Sequence, residues 1–162
     1  MNRAAALLLA LATAAPFALA QPPTGKRPAP ILAHAIPLEV GAVVESFEMA
    51  PDRTVIFEPM ADGKVRILSA IDRDRLAPMP RNPGQVAVSL TVAQEIGAVM
   101  EFNSGLGFTF SYEAKVGGVA IPACPVRGNA VASDQWPQGY TSIVIGGLKR
   151  IEDAAACEHP EE

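Results

Sequence analysis

The sequence predicts an all-β protein: an antiparallel β-sandwich, or a flattened barrel, of about eight short strands. Apolar and polar side chains alternate with a two-residue period along most of the chain, and no stretch of useful length has a helical period. The clearest strand spans 106–115. Its apolar face carries Leu106, Phe108, Phe110, Tyr112 and Ala114. We expect this strand to anchor a sheet, because each buried aromatic side chain hides roughly 150 to 250 Å² from water.

The chain begins like an exported protein. Arg3 supplies an early positive charge, residues 4–11 are rich in alanine and leucine, and small residues flank Leu19. This order is typical of a secretory signal peptide, so we expect cleavage after Ala20 and a periplasmic or secreted protein. A membrane-spanning helix is the alternative, but the apolar run is short and Pro16 interrupts it.

The expected mature chain is one mildly acidic domain. Removing the leader with Arg3 leaves twelve cations against seventeen acids, a net charge of −5. Nucleic acid and anionic membrane surfaces are not expected partners, since both require clustered cations. Residues 21–37 contain five prolines and predict a flexible lead, residues 38–151 the β-domain, and residues 152–162 an acidic tail.

In the first half of the domain, alternation predicts strands at 38–47, 54–58 and 65–68. The pair Asp62-Gly63 predicts a tight hairpin between the last two, because both central residues of a two-residue turn need positive φ. Residues 72–84 contain three prolines and predict a long loop.

The second half predicts five more strands, at 86–92, 96–102, 106–115, 119–121 and 140–148. Glycine-containing turns join three of them, 96–102, 106–115 and 119–121, so we expect these to form a meander. Residues 127–139 have no regular period and are predicted to be irregular.

Both cysteines, Cys124 and Cys157, lie in the exported part of the chain, and we expect them to form one disulfide. It would close a loop of about 34 residues and contribute roughly 3 to 4 kcal/mol, tying the acidic tail to the sheet. A zinc site is the alternative, but no paired cysteines or histidines accompany them. The sequence therefore predicts no metal and no cofactor.

Catalytic residue types are sparse. The two histidines, His34 and His159, fall outside the predicted strands, so we do not expect imidazole catalysis. A carboxylate pair for glycoside hydrolysis is the remaining enzymatic alternative. The glutamates that could supply it are Glu45, Glu48, Glu58, Glu95, Glu101 and Glu113.

The only tryptophan, Trp136, is the main binding candidate. One interpretation is an exposed anchor flanked by Arg127, Asp134 and Tyr140, the composition of a recognition surface. The other, which we favour, is a buried plug that closes one end of the sandwich.

Taken together, these features predict a non-enzymatic binding or interaction module whose partner is an envelope or extracellular protein. The alternatives are a small carboxylate-dependent hydrolase acting on glycans and a carrier of an apolar ligand between the sheets. A pair of carboxylates in a cleft would favour the hydrolase, and an apolar cavity the carrier. A sealed core with a free edge strand or an apolar patch would favour interaction.

Overall fold

The computed structural model describes residues 37–72, 82–93, 96–137 and 139–152. These residues form ten strands and no helix, and hence no helix that could cross a membrane. The strands are β1 (Val43–Val44), β2 (Ser46–Met49), β3 (Arg53–Pro59), β4 (Val65–Asp72), β5 (Val86–Ala93), β6 (Gly97–Ser104), β7 (Thr109–Val116), β8 (Val119–Ile121), β9 (Val131–Trp136) and β10 (Ile143–Ile151).

Two antiparallel sheets pack together, which confirms the predicted β-sandwich. The larger sheet has the order β1-β4-β3-β5-β6-β9, and the smaller has the order β2-β10-β7-β8. The predicted leader, almost all of the proline-rich lead, residues 73–81 of the predicted loop and the tail after Glu152 lie outside the described residues, so those expectations stay predictions.

The core fills the space between the sheets. The alternation predicted for β7 is confirmed, since Phe110, Tyr112 and Ala114 are buried while Glu113 is exposed. The ring of Phe102 on β6 meets Phe110 edge-on at 6.4 Å between centroids and lies 4.8 Å from the ring of Tyr112. Aromatic contacts between β6 and β7 therefore join the two sheets.

The first predicted strand divides between the sheets. Residues 38–42 form no strand and contain a turn, so this part of the prediction is wrong. The middle of the run forms β1, which pairs with β4, and its end forms β2, which pairs with β10. Glu45 lies between the two short strands, so the chain passes here from one sheet to the other. Alternation predicts extended backbone but cannot show that two halves of one run have different partners.

The predicted meander is wrong. β6 pairs with β5 and β9, whereas β7 lies in the other sheet between β10 and β8. The chain crosses at Gly105, where a Cβ would lie only 1.9 Å from the carbonyl oxygen of Asn82. This close approach needs glycine and carries the chain past the 82–85 turn instead of back along β6. Only the β7–β8 hairpin of the meander is present, with positive φ at Gly117 and Gly118.

The hairpin predicted at Asp62-Gly63 is present, but its loop has three residues. The Met60 N–H donates to the Lys64 carbonyl at 2.8 Å, and the Gly63 N–H donates to the Met60 carbonyl at 3.1 Å. Only Gly63 has positive φ, at 83°, so the loop is a turn followed by a left-handed glycine. The loop packs against β10, since a Cβ on Gly63 would lie 3.1 Å from the carbonyl oxygen of Leu148.

β9 was not predicted, because residues 127–139 looked irregular. It pairs with β6 in an unbroken register from Ala98↔Trp136 to Asn103↔Val131. Its inward positions are Ala132, Asp134 and Trp136, and its exposed end is Val131. An inward carboxylate and an outward valine reverse the pattern by which a half-buried strand is recognised. The last strand was also misplaced, since it runs from Ile143 to Ile151 rather than over 140–148.

The packing of Phe110 generates the first testable prediction. Phe110→Ala should lower the free energy of unfolding by roughly 3 to 5 kcal/mol, because it leaves a cavity where the sheets meet. Urea denaturation measures this change. Ser111→Ala, on the other face of the same strand, is the matched control and should change stability by less than about 0.5 kcal/mol. An unchanged midpoint for Phe110→Ala would contradict the core described above.

Candidate functional site

Trp136 is buried, 4% exposed, so its interpretation as an exposed anchor is wrong. It is the last residue of β9, and its ring lies in the core. The indole N–H donates to the carbonyl oxygen of Pro122 at 2.7 Å. Because Pro122 follows β8 in the other sheet, this bond ties the two sheets together, as the plug interpretation expects.

Asp134 is also buried and connects the same two sheets. Its carboxylate accepts hydrogen bonds from the hydroxyl of Tyr112 on β7 and, at 3.2 Å, from the backbone N–H of Cys124. Burial, reinforced by the neighbouring charge of Asp134, raises the pKa of Tyr112 far above its usual range. The pair is a structural tie, held away from solvent.

The other binding candidates do not complete a recognition surface. Arg127 is exposed, whereas Tyr140 is half-buried and packs against the core. With Trp136 and Asp134 buried, the four side chains do not form one exposed surface. Cys124 is not a free thiol, but Cys157 lies outside the described residues, so the disulfide stays a prediction.

A groove of about 1060 Å³ lies beside β10 and was not predicted. Its walls are the β3–β4 loop at 59–64, the corner at 45–46, residues 144 and 146–150 of β10, and side chains of Phe108 and β7. The groove lies at the start of β2, where the chain enters the smaller sheet at Ser46. β2 pairs with β10 only from Ile143 to Gly146, whereas β7 follows β10 as far as Ile151.

A β-bulge in β10 shapes this groove. One residue of β7, Tyr112, faces two residues of β10, Gly147 and Leu148, and Gly147 has a φ of 58°. The extra residue exchanges the faces of the strand, so Leu148 and Arg150 share the side of Phe110 while Lys149 turns to the other side. The glycine pair inside an apolar strand was the sequence signal for this bulge.

The bulge brings Arg150 over an aromatic ring. Its guanidinium carbon lies 4.9 Å from the centroid of Phe108, within the range of a cation–π contact. Arg150 is exposed and Phe108 is half-buried. Among the described residues, no carboxylate forms an ion pair with Arg150.

The acids of the groove are mostly neutralised within it. Lys115 pairs with Glu113 at 2.9 Å, and Lys64 pairs with Asp62 at 3.6 Å. The hydrogen bond from Lys115 and its charge, together with the charge of Lys149, hold the pKa of Glu113 below its usual value. A general acid for glycoside hydrolysis requires a raised pKa, whereas the pKa of Glu113 is lowered.

The remaining glutamates are dispersed. Glu58 pairs with Arg66 at 3.4 Å, and Glu101 is exposed on β6 opposite Ser133. Glu95 lies outside the described residues. Within the described part of the chain, no three histidine, cysteine, aspartate or glutamate side chains are grouped to hold a metal ion.

The Tyr112–Asp134 pair predicts a loss of stability at alkaline pH. Because folding raises the pKa of Tyr112, its contribution is complete below the unfolded value near 10 and declines as pH rises beyond it. The free energy of unfolding, measured across this range, should fall less steeply for Tyr112→Phe than for the wild type. Equal slopes for the two proteins would contradict the burial of a neutral phenol.

Gly147 provides a second prediction. Gly147→Ala should cost roughly 1 to 2 kcal/mol, because its left-handed backbone disfavours a Cβ. The new methyl would also lie 2.9 Å from the Glu113 side chain and should displace it from Lys115, raising the pKa of Glu113 towards its usual value.

The matched control for this prediction is Gly117→Ala, since Gly117 has a φ of 57° and an added Cβ would meet nothing within 4 Å. It should cost a similar free energy but leave the Glu113 titration, followed by NMR, unchanged. If both variants left that titration unchanged, the proposed contact between the bulge and Glu113 would be wrong.

The chain matches no protein-family model, no curated protein and no solved structure. Its function has to be inferred from the geometry and charge of the groove.

Proposed function

We propose that this chain is an exported, non-enzymatic binding module and that the groove beside β10 holds its partner, a protein of the envelope or the medium. The observation that supports this proposal is the groove itself: about 1060 Å³ beside a strand edge, with an arginine stacked on an aromatic ring inside it. Aromatic residues and arginine are the types that dominate binding energy at protein interfaces.

The charge of the groove favours binding over hydrolysis. A glycosidase needs one protonated and one ionised carboxyl group on opposite sides of the bond that it cleaves. Here the hydrogen bond and charge of Lys115 hold the pKa of Glu113 below its usual value, which favours its ionised form. Glu113 is then not suited to donate a proton to a leaving group.

The carrier alternative is also less well supported. Sites for apolar ligands are enclosed and mostly apolar. Seven charged side chains line the groove, and a bound apolar ligand would remove water from them without offering them hydrogen bonds. These side chains are Glu45, Asp62, Lys64, Glu113, Lys115, Lys149 and Arg150.

Filling the groove tests the proposal. Ala61 is exposed on the β3–β4 loop and lines the groove, so Ala61→Trp should obstruct it without disturbing the core. The mature chain, residues 21–162, is immobilised and exposed to envelope extract. Retention of a specific partner should fall at least about tenfold for Ala61→Trp, which is a loss of about 1.4 kcal/mol in binding.

The matched control is Ala120→Trp, on exposed β8 outside the groove, which should retain the partner as the wild type does. Thermal melting of both variants checks that the fold is intact. Equal retention by the wild type and by a folded Ala61→Trp protein would refute the groove as the binding site.

A further inference from the structure

We infer that Arg150 receives a carboxylate of the partner protein, from an aspartate or glutamate side chain or a chain terminus. This inference rests on the proposed function, because it names the chemical group that the groove recognises.

The first support is the charge pairing inside the groove. Lys64 and Lys115 each have a carboxylate partner within 4 Å. The charge of Lys149 acts on Glu113, whose pKa it helps to lower. Neither Lys149 nor Arg150 forms an ion pair with a carboxylate of the described residues. Of these two cations, only Arg150 lies on the Phe108 side of the strand, so the groove offers a ligand one guanidinium that has no carboxylate partner among the described residues.

The second support is the contact between that guanidinium and an aromatic ring. The guanidinium carbon lies 4.9 Å from the centroid of Phe108, and an arginine that contacts a ring face can still use the N–H groups at the edge of its guanidinium for hydrogen bonding. A planar fork of this kind binds both oxygens of a carboxylate at once. Because the side chain is already restrained against the ring, less rotamer entropy is lost on binding than for a free surface arginine.

The third support is the bulge that places Arg150. With unbroken alternation from Ile145, residue 150 would lie on the outer face of the smaller sheet with Val144. The extra residue at Gly147 turns it to the side of Phe110 and into contact with Phe108. Bulges of this kind often re-aim a side chain at a functional site.

A carboxylate fits better than a phosphate. Phosphate carries close to two negative charges at neutral pH and is usually bound by several cations or backbone N–H groups. The guanidinium of Arg150 carries a single positive charge and balances a single negative charge. The neighbouring Glu45 and the paired acids Asp62 and Glu113 would repel a dianion more strongly.

An NMR titration of the mature chain tests the inference. The probes are N-acetylglutamate amide, galacturonate and inorganic phosphate, and the Nε–H signals of the arginines are followed. Arg150 should respond to the glutamate probe at a concentration at least about tenfold lower than Arg127, an exposed arginine outside the groove. Equal responses of the two arginines would overturn the site, and a preference for galacturonate or phosphate would overturn the ligand class.

Two variants separate the guanidinium fork from charge alone, with groove backbone amides as the readout. Arg150→Lys keeps the charge but loses the fork, and should weaken binding of the glutamate probe about tenfold. Arg127→Gln removes a charge from an exposed arginine outside the groove and should change the affinity for the glutamate probe less than about twofold. If Arg127→Gln weakened binding as much as Arg150→Lys, general electrostatics rather than Arg150 would be responsible.

Failure of the carboxylate inference can be distinguished from failure of the proposed function. If Ala61→Trp abolished partner retention while Arg150→Lys retained the partner fully, the groove would stand as the binding site and the carboxylate inference would fail. If Ala61→Trp had no effect, the groove itself would be rejected.

Discussion

A β-strand sends successive side chains to opposite faces, and this constraint determines how the whole molecule is built. Each strand can bury only alternate residues, so two sheets are needed to enclose a core. The rule holds along β7, where Phe110 and Tyr112 pack inward and Glu113 faces solvent. It is interrupted in β10 at Gly147, and the candidate site lies at that interruption. The residues to which we assign binding are thus those released from the alternation that builds the core.

The two sheets are joined on one side by buried polar groups as well as by apolar contacts. Asp134 accepts from Tyr112 and from the Cys124 backbone, and the Trp136 indole donates to Pro122. Each bond contributes little net free energy, but losing one partner would leave a buried polar group without compensation. Such bonds fix how β9 lies against the smaller sheet more strictly than apolar packing does. The residues that looked most suitable for recognition in the sequence are therefore occupied in holding the sandwich together.

The fold class and most strands followed from the sequence, whereas the pairing of strands and the site did not. Alternation is a local property, so it identified β7 and the β3–β4 hairpin but could not assign 38–47 to two sheets. β9 was not predicted because its buried carboxylate, Asp134, accepts a hydrogen bond from the hydroxyl of Tyr112, 22 residues earlier in the chain. No local sequence pattern contains such a contact. The groove depends on where β2 begins relative to β10, which is a matter of three-dimensional register. The glycines at 146 and 147 are visible in the sequence, but a glycine pair alone does not distinguish a bulge from a turn.

The separation between core and groove also explains why charges can accumulate beside β10 without destabilising the fold. Lys115, Glu113, Lys64 and Asp62 are each about half exposed, and ion pairs of that kind contribute little to stability and are screened by salt. Their effect on the proposed ligand would be different, since Lys115 and Lys64 neutralise the acids that would otherwise compete for Arg150. Burial of Leu148 on the same side of the strand keeps the bulge attached to the core, while Arg150, two residues further on, remains exposed to solvent. The bulge thereby connects a buried core residue, Leu148, to the charged side chain of Arg150. Preorganised recognition requires a binding side chain that is held in this way by a rigid part of the fold.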